Sequence, residues 1–296
     1  MTFLRGASLT TSATLGYADT ADLGPTAGNG FRTQWPDDLA VLQDVGITDV
    51  QITLDWARLQ PKPNEIDADW AEWFEQVLRA AAAIDVRPWA CLHDGSIPRW
   101  FDNDGGLDDD EALTLWWPRW VERAADRFGD IVSGWVPFAR IPSGAAEQPW
   151  IDTWGILSGG APVVAAIDLR SDATSVAQFA ERADLLGAVL SADWDHTGDG
   201  ATIADATERW GNELRDTADG IDNHLAITSF SSGHSDPEAA GEIVQAWRSM
   251  LDAAVADGVP IDVAFVEPAI AGPDSLAGLL DSDRAPTPSS NAFLAA

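Results

Sequence analysis

Short apolar runs rich in β-branched residues alternate along the chain with longer stretches in which apolar residues recur at helical spacing. Strands are predicted at 4–9, 47–54, 86–92, 131–138, 163–169, 223–230 and 261–266. Helices are predicted at 36–45, 67–84, 110–128, 176–190, 203–218 and 239–255. The first opens with Pro36 at a first-turn position and stops before Gly46, a favoured residue just past a helix end. In the second, Trp70, Phe74, Val77 and Leu78 share one face. Strand–helix alternation with strands apolar on both faces predicts a parallel α/β sheet covered by helices. Gly/Ser/Pro-rich stretches fall at 141–160 and 193–200, with a Pro/Ser tail at 283–291, and no internal repeat is present. None of these stretches reads as a long linker, so one barrel-like domain over 1–296 is expected.

Composition narrows the function. The 296 residues carry 48 acidic and 17 basic side chains, a net charge of −31. Nucleic-acid binding needs clustered Lys and Arg, and an anionic membrane surface would repel such a chain. The acidity itself reads as solubility, compositional bias or adaptation to salt. At 46% hydrophobic the chain can bury a sizeable core. Cys91 is the only cysteine, so no intrachain disulfide forms and nothing demands an oxidising compartment. The first residues lack an apolar core behind a basic end, and charges interrupt the longest apolar stretches. A cytoplasmic location is the expectation.

Several segments in order carry a resemblance. They are Phe3-Leu4-Arg5-Gly6-Ala7, then Trp35-Pro36-Asp37-Asp38-Leu39, then Ile52 through Pro61 (ITLDWARLQP). Cys91 through Trp100 (CLHDGSIPRW), the run Phe128-Gly129-Asp130-Ile131 and the tail Arg284-Ala285-Pro286-Thr287-Pro288-Ser289 follow. Together they resemble the family 1 glycoside hydrolases, the retaining β-glucosidases and their relatives. The likeness is dense over 1–142, faint over 143–222 and returns from about 223. It implies a (β/α)8 TIM-type barrel, reduced after strand 4 and around strand 8, with strand 8 compressed into 275–280.

Retaining hydrolysis uses two carboxyl groups roughly 5–5.5 Å apart, a nucleophile and an acid/base. The resemblance places the nucleophile on strand 7 and the acid/base on strand 4. Phe265-Val266-Glu267-Pro268-Ala269 is taken as the strand-7 element, which puts Glu267 in the nucleophile position. Arg140 stands in place of the acid/base Glu, and Ala139 in place of the neighbouring Asn. An Arg keeps its proton and cannot cycle between acid and base. Elsewhere Ala13 replaces a sugar-gripping Gln, Asp94 a His, Gly95 a Trp, and Gln51 the Arg beside the nucleophile.

The resemblance therefore implies a pseudo-glycosidase that has lost hydrolysis and binds a carbohydrate-like ligand or a partner. Gln51, Trp56, His93, Asp94 and Trp135 are the expected ligand-facing residues, and an Arg140–Glu267 ion pair is expected to fill the old centre. Trp56, Trp89, Trp100 and Trp135 are candidates for stacking on sugar rings, with core packing the commoner role of such residues. Two alternatives stand beside this one: an active retaining β-glycosidase using Glu267, and an assembly subunit that covers exposed barrel faces through a protein partner or oligomer. No cofactor is expected. The acidic run 193–200 resembles a calcium loop but lacks its final Glu, so no metal is expected either. Glu147 is the nearest candidate for a relocated acid.

Overall fold

The computed structural model describes residues 3–18, 26–139, 147–167, 178–191, 202–272 and 276–295. Eight parallel strands form a nearly closed barrel: β1 (Leu4–Leu9), β2 (Asp49–Thr53), β3 (Arg87–Cys91), β4 (Gly134–Val136), β5 (Val164–Ile167), β6 (Leu185–Ser191), β7 (His224–Ser231) and β8 (Ile261–Glu267). The ladder runs β4-β3-β2-β1-β8-β7-β6-β5. Its two ends meet through a single parallel bridge, Trp135 to Val163, with Trp135 N–H donating to the Pro162 carbonyl at 2.8 Å. The main outer helices are α1 (Phe31–Asp44), α2 (Ala68–Ala83), α3 (Asp110–Phe128), α4 (Glu147–Leu157), α5 (Ile203–Gly220), α6 (Pro237–Ala256) and α7 (Pro288–Leu294). This is the (β/α)8 class that the alternating pattern predicts.

A few of the acidic residues start helices. Asp67, Asp109 and Asp236 each accept the backbone N–H three residues on, at 3.0, 2.8 and 2.9 Å. Thr202 and Asp205 form a reciprocal capping box at the head of α5. Each such cap contributes about 1 kcal/mol by satisfying donors that the first turn leaves free.

Several boundaries differ from expectation for physical reasons. Residues 176–190 are not one helix, because Leu185–Ser191 is strand β6. Its unbroken apolar run fits a strand buried on both faces as well as a helix, and hydrophobic periodicity cannot separate the two. With that strand counted, Phe265-Val266-Glu267 ends the eighth strand, paired to β1, not the seventh. Among the described residues no compressed eighth strand follows it: Leu280 makes only isolated bridges to Ile270 and Pro286. The Gly/Ser/Pro-rich stretch 141–160 contains helix α4.

Helix α1 begins at Phe31, so Pro36 lies inside it rather than at its start. Proline has no N–H for the Arg32 carbonyl, and the Trp73 indole of α2 donates to that oxygen instead, at 3.2 Å. The missing helix bond thus becomes a tie between two helices.

The barrel interior is filled by large side chains set against glycines. Trp89 and Phe265 meet edge to face with centroids 5.8 Å apart, and the Trp89 indole donates to the buried Asp49 carboxylate at 2.8 Å. Arg87 closes the lower end on Asp49 at 2.8 Å. A Cβ added at Gly6 would collide with the Phe265 ring, and one at Gly134 with the Trp89 ring. Between barrel and helices lies a second, aromatic core. Trp56 stacks on Trp120 at 5.6 Å, and Phe230 stacks on Trp247 at 4.0 Å. The C-terminal segment is pinned to α1 by Arg284, whose Nε is 2.8 Å from the fully buried Asp38.

Overpacking a rigid interior costs about 1–3 kcal/mol. Gly134→Ala is therefore expected to lower unfolding free energy by about 2 kcal/mol in urea titrations, and Gly134→Ala with Trp89→Leu to recover part of it. A Gly134→Ala chain as stable as the wild type would show that the Trp89 ring has room to move.

Candidate functional site at the C-terminal mouth

Several side chains at the strand ends beside the Trp89–Phe265 pair are polar. In register across the barrel wall, Ser8 lies opposite Gln51, and Gln51 opposite Trp89. Gln51 is 2% exposed; its Nε2 donates to Ser8 Oγ at 3.3 Å, and its Oε1 has no hydrogen-bond partner. Glu267 ends β8 beside this layer, and its Oε2 accepts from Ser229 Oγ of β7 at 2.7 Å. Asp94 follows β3, and its Oδ2 accepts the Thr11 backbone N–H at 2.7 Å, while its Oδ1 is buried without a hydrogen-bond partner.

A cavity of about 520 Å³ opens here, lined by Thr10, Ser12, Tyr17, Ser231 and Glu267 among others. That volume lies within the range of roughly 300–1,000 Å³ usual for small-ligand pockets.

Burial shifts four titratable groups around this mouth. It raises the Glu267 carboxyl above the usual range; the Ser229 hydroxyl pulls it down, and the Asp94 charge pushes it further up. Burial likewise raises Asp94, opposed first by the hydrogen bond from the Thr11 backbone N–H. Tyr17 is raised by burial and by the charges of Asp94, Glu267 and Asp55. His93 is pushed down to about 4 by burial, so its imidazole is neutral at physiological pH. Its Nδ1 has no hydrogen-bond partner, and its ring meets Phe138 edge to face.

The expected ligand-facing residues divide. Glu267, Asp94, Gln51 and His93 gather at the strand ends. Trp56 and Trp135 do not join them: they are 1% and 2% exposed and belong to the core between barrel and helices, because both side chains point outward from the barrel axis. Trp89 packs inside the barrel and Trp100 against Trp56 and Trp116, so both serve packing. Arg140 and the acidic run 193–200 lie outside the described residues. Among the described residues no cluster of three His, Cys, Asp or Glu could hold a metal, and no helix is long and apolar enough to cross a membrane.

The seventh strand, where the resemblance places the nucleophile, carries Thr228-Ser229-Phe230 near its end. A hydroxyl therefore occupies that strand end, and the carboxylate beside it comes from β8.

Tyr17 was not anticipated as a site residue. Its hydroxyl lies 3.6 Å from where a Cβ on Gly95 would stand, and Gly95 replaces a Trp of the resembled motif. The sequence signal was its being the sole Tyr in the chain. The loop carrying it is clamped by Arg58, which donates to the Gly16 carbonyl at 2.8 Å and the Leu15 carbonyl at 3.3 Å while pairing with Asp55. Asp55 is 1% exposed and also caps the short helix Trp56–Leu59.

Comparison with known proteins agrees with this geometry. Residues 19–150 match the family model of glycosyl hydrolase family 1. The chain is 24% identical over 109 residues to the human cytosolic β-glucosidase and 24% identical over 126 residues to myrosinase 2 of Arabidopsis thaliana. Those stretches cover 36% and 41% of this chain, but only 23% of each relative. The family 1 β-glucosidase of Thermotoga maritima superposes with a TM-score of 0.77 at 12% identity, covering 99% of this chain and 96% of that one. The β-glucosidase of Exiguobacterium antarcticum gives 0.76 at 11% identity, covering 99% and 96%. The fold is that of the family 1 β-glucosidases. In sequence the likeness to glycosyl hydrolase family 1 spans residues 19–150, less than half of the chain.

Two outcomes test the site. Arg58→Ala leaves Asp55 buried and unpaired, and is expected to cost about 3–5 kcal/mol in denaturant unfolding. Adding Asp55→Asn should recover most of that loss; no recovery would mean that Arg58 acts through packing alone. For Asp94 and Glu267 the folded-state pKa lies above the unfolded one. Their destabilising effect is absent below about pH 4 and grows as pH rises through the folded values. Asp94→Asn and Glu267→Gln should therefore raise the melting temperature by a few degrees at pH 8, with the gain vanishing near pH 4. A gain that is flat with pH would contradict this sign.

Proposed function

We propose that this barrel binds a carbohydrate-like ligand at its C-terminal mouth and does not hydrolyse glycosides by the retaining mechanism of the resembled family. One observation carries the reading. The described end of strand 4, residues 134–139, contains no carboxyl group, and strand 7 presents Ser229 where the resemblance calls for a nucleophilic Glu. The mechanism needs a carboxyl pair facing each other across the scissile bond. The mouth instead offers Glu267 from β8, hydrogen-bonded to that serine, and Asp94 from β3. What remains is a polar layer of Ser8, Gln51 and Ser231 beside a cavity of sugar size, which suits hydroxyl recognition. The named relatives are β-glucosidases and a myrosinase, and this supports a sugar-like ligand class.

A second reading is favoured by the charge coupling between Asp94 and Glu267. Two buried carboxyls, one of which raises the other, can hold one proton between them, as an acid and a nucleophile do. In that case the barrel would be an active glycosidase with an unorthodox acid.

Incubation with an activated aryl β-glucoside, whose leaving group departs without acid assistance, separates the two readings. No release of the aryl group above background is expected. Turnover abolished by Glu267→Gln would establish the active reading. Titration of intrinsic Trp fluorescence with neutral monosaccharides should give a saturable change at millimolar concentration, since Trp89 lies in register with Gln51 of the polar layer. A flat titration with every sugar would overturn the binding reading.

A further inference from the structure

We infer that Ser229 is a positioning residue of the mouth: its hydroxyl holds the Glu267 carboxylate in place as the acceptor that a ligand's hydroxyls meet. This deepens the binding reading above and rests on it. The arrangement begins with the register of β7. Ile227 pairs with Ala188 of β6 and with Ala264 of β8, and Phe230 pairs with Leu190 and with Val266. Between those two rungs β7 carries one residue more than either neighbour, a bulge at Thr228–Ser229.

The extra residue reverses which side chains face the barrel axis. Before it, Ala226 packs inside the barrel with Val263 and Phe265, and Ile227 joins the outer core. After it, Phe230 stacks on Trp247 of α6, outside the barrel, so Ser229 and Ser231 face inward. With unbroken alternation Phe230 would fill the mouth and Ser229 would be turned away from it. Strand β8 keeps its alternation from Val263 through Phe265, and this brings Glu267 onto the same inner face. The two inward side chains meet, with Ser229 Oγ donating to Glu267 Oε2 at 2.7 Å.

Glu267 lines the mouth cavity, and so does Ser231, its partner in register. A carboxylate only accepts hydrogen bonds, so its complement in a neutral ligand is a hydroxyl. Fixing that carboxylate in the free protein removes the ordering cost that a loose side chain would add to binding. The serine also favours the ionised form of Glu267, against burial and the Asp94 charge, which favour the neutral one. The other titratable groups that face Glu267 among the described residues are Tyr17, after β1, and the Cys91 thiol of β3. Burial raises both, so they are neutral at physiological pH.

The test reads Glu267 directly, by carbon-13 NMR pH titration of the whole chain labelled at its glutamate carboxyls, with Glu267→Gln giving the assignment. Ser229→Ala is expected to raise the Glu267 pKa by about one pH unit, as loss of a hydrogen bond to a charged group predicts. Ser229→Thr keeps the hydroxyl and should stay near the wild-type value. Trp-fluorescence titration with glucose at pH 8 is the second readout. Ser229→Ala should weaken glucose binding about fivefold, and Ser229→Thr should restore it. In a Glu267→Gln chain, Ser229→Ala should have no further effect. Circular dichroism and melting of each variant establish that it folds.

An unchanged Glu267 pKa in Ser229→Ala overturns the inference. So does glucose binding that is equal in Ser229→Ala and the wild type. Additive losses in the double variant also overturn it, since Ser229 would then act by touching the ligand itself. A raised Glu267 pKa in Ser229→Ala, with no response of the wild type to any sugar, supports the hold of Ser229 on Glu267 and removes the carbohydrate reading. An unchanged pKa with no sugar response removes both.

Discussion

The packing of Trp89 and Phe265 inside the barrel is the constraint from which the rest of the molecule follows. Two aromatic rings fit within eight strands only because Gly6 and Gly134 present no side chain at the facing positions. Their bulk fills the lower and middle interior, and the Trp89 indole is oriented by the buried Asp49, itself neutralised by Arg87. Apart from Asp49 below the rings, the polar Ser8, Gln51 and Glu267 gather at the strand ends. A ligand can meet Ser8, Gln51, Glu267 and their neighbours only from the C-terminal mouth, the face on which barrels of this class carry their chemistry.

Above that floor the electrostatics are one-sided. Asp38, Asp49 and Asp55 are buried, and each is given an arginine. Asp94 and Glu267 are held by a backbone N–H and a serine hydroxyl instead. The contrast is physical: the first three stabilise the fold, whereas the last two leave a burial penalty that a bound cation or a proton can relieve. Arg58 links the two sets, since it neutralises Asp55 and fixes the loop that brings Tyr17 over Gly95. The mouth is thus shaped by side chains from the ends of β7 and β8 and from the segments after β1, β2 and β3. The β4–β5 seam, closed by one bridge, lies away from them.

The barrel class was legible because alternation of strand and helix leaves a strong periodic trace, and most elements fell close to their expected places. Leu185–Ser191 was not, because a strand buried on both faces has no alternation to reveal it. That single misassignment moved Glu267 from the eighth strand to the seventh and created an apparent compressed strand after it. Trp135 packs outside the barrel for a related reason. Which side of a parallel strand faces the axis depends on register, and Trp135 lies opposite Ala90, outside the barrel, while its neighbour Gly134 lies opposite Trp89, inside.

The linear sequence by itself determined the alternating pattern, the caps that start the helices, the charge that excludes polyanions, and the order of motifs that resembles a glycosidase. Those properties are local or additive and survive without knowledge of contacts. Tertiary structure alone decided which acids are paired, which are left buried and coupled, and which tryptophans are core. Ion pairing, burial and register join residues as distant as Asp38 and Arg284, or Ser229 and Glu267, and no local spacing encodes such distances. The replacement of a His by Asp94 was visible in the sequence; that it stands beside Glu267 without a cation of its own among the described residues was visible only in the folded barrel.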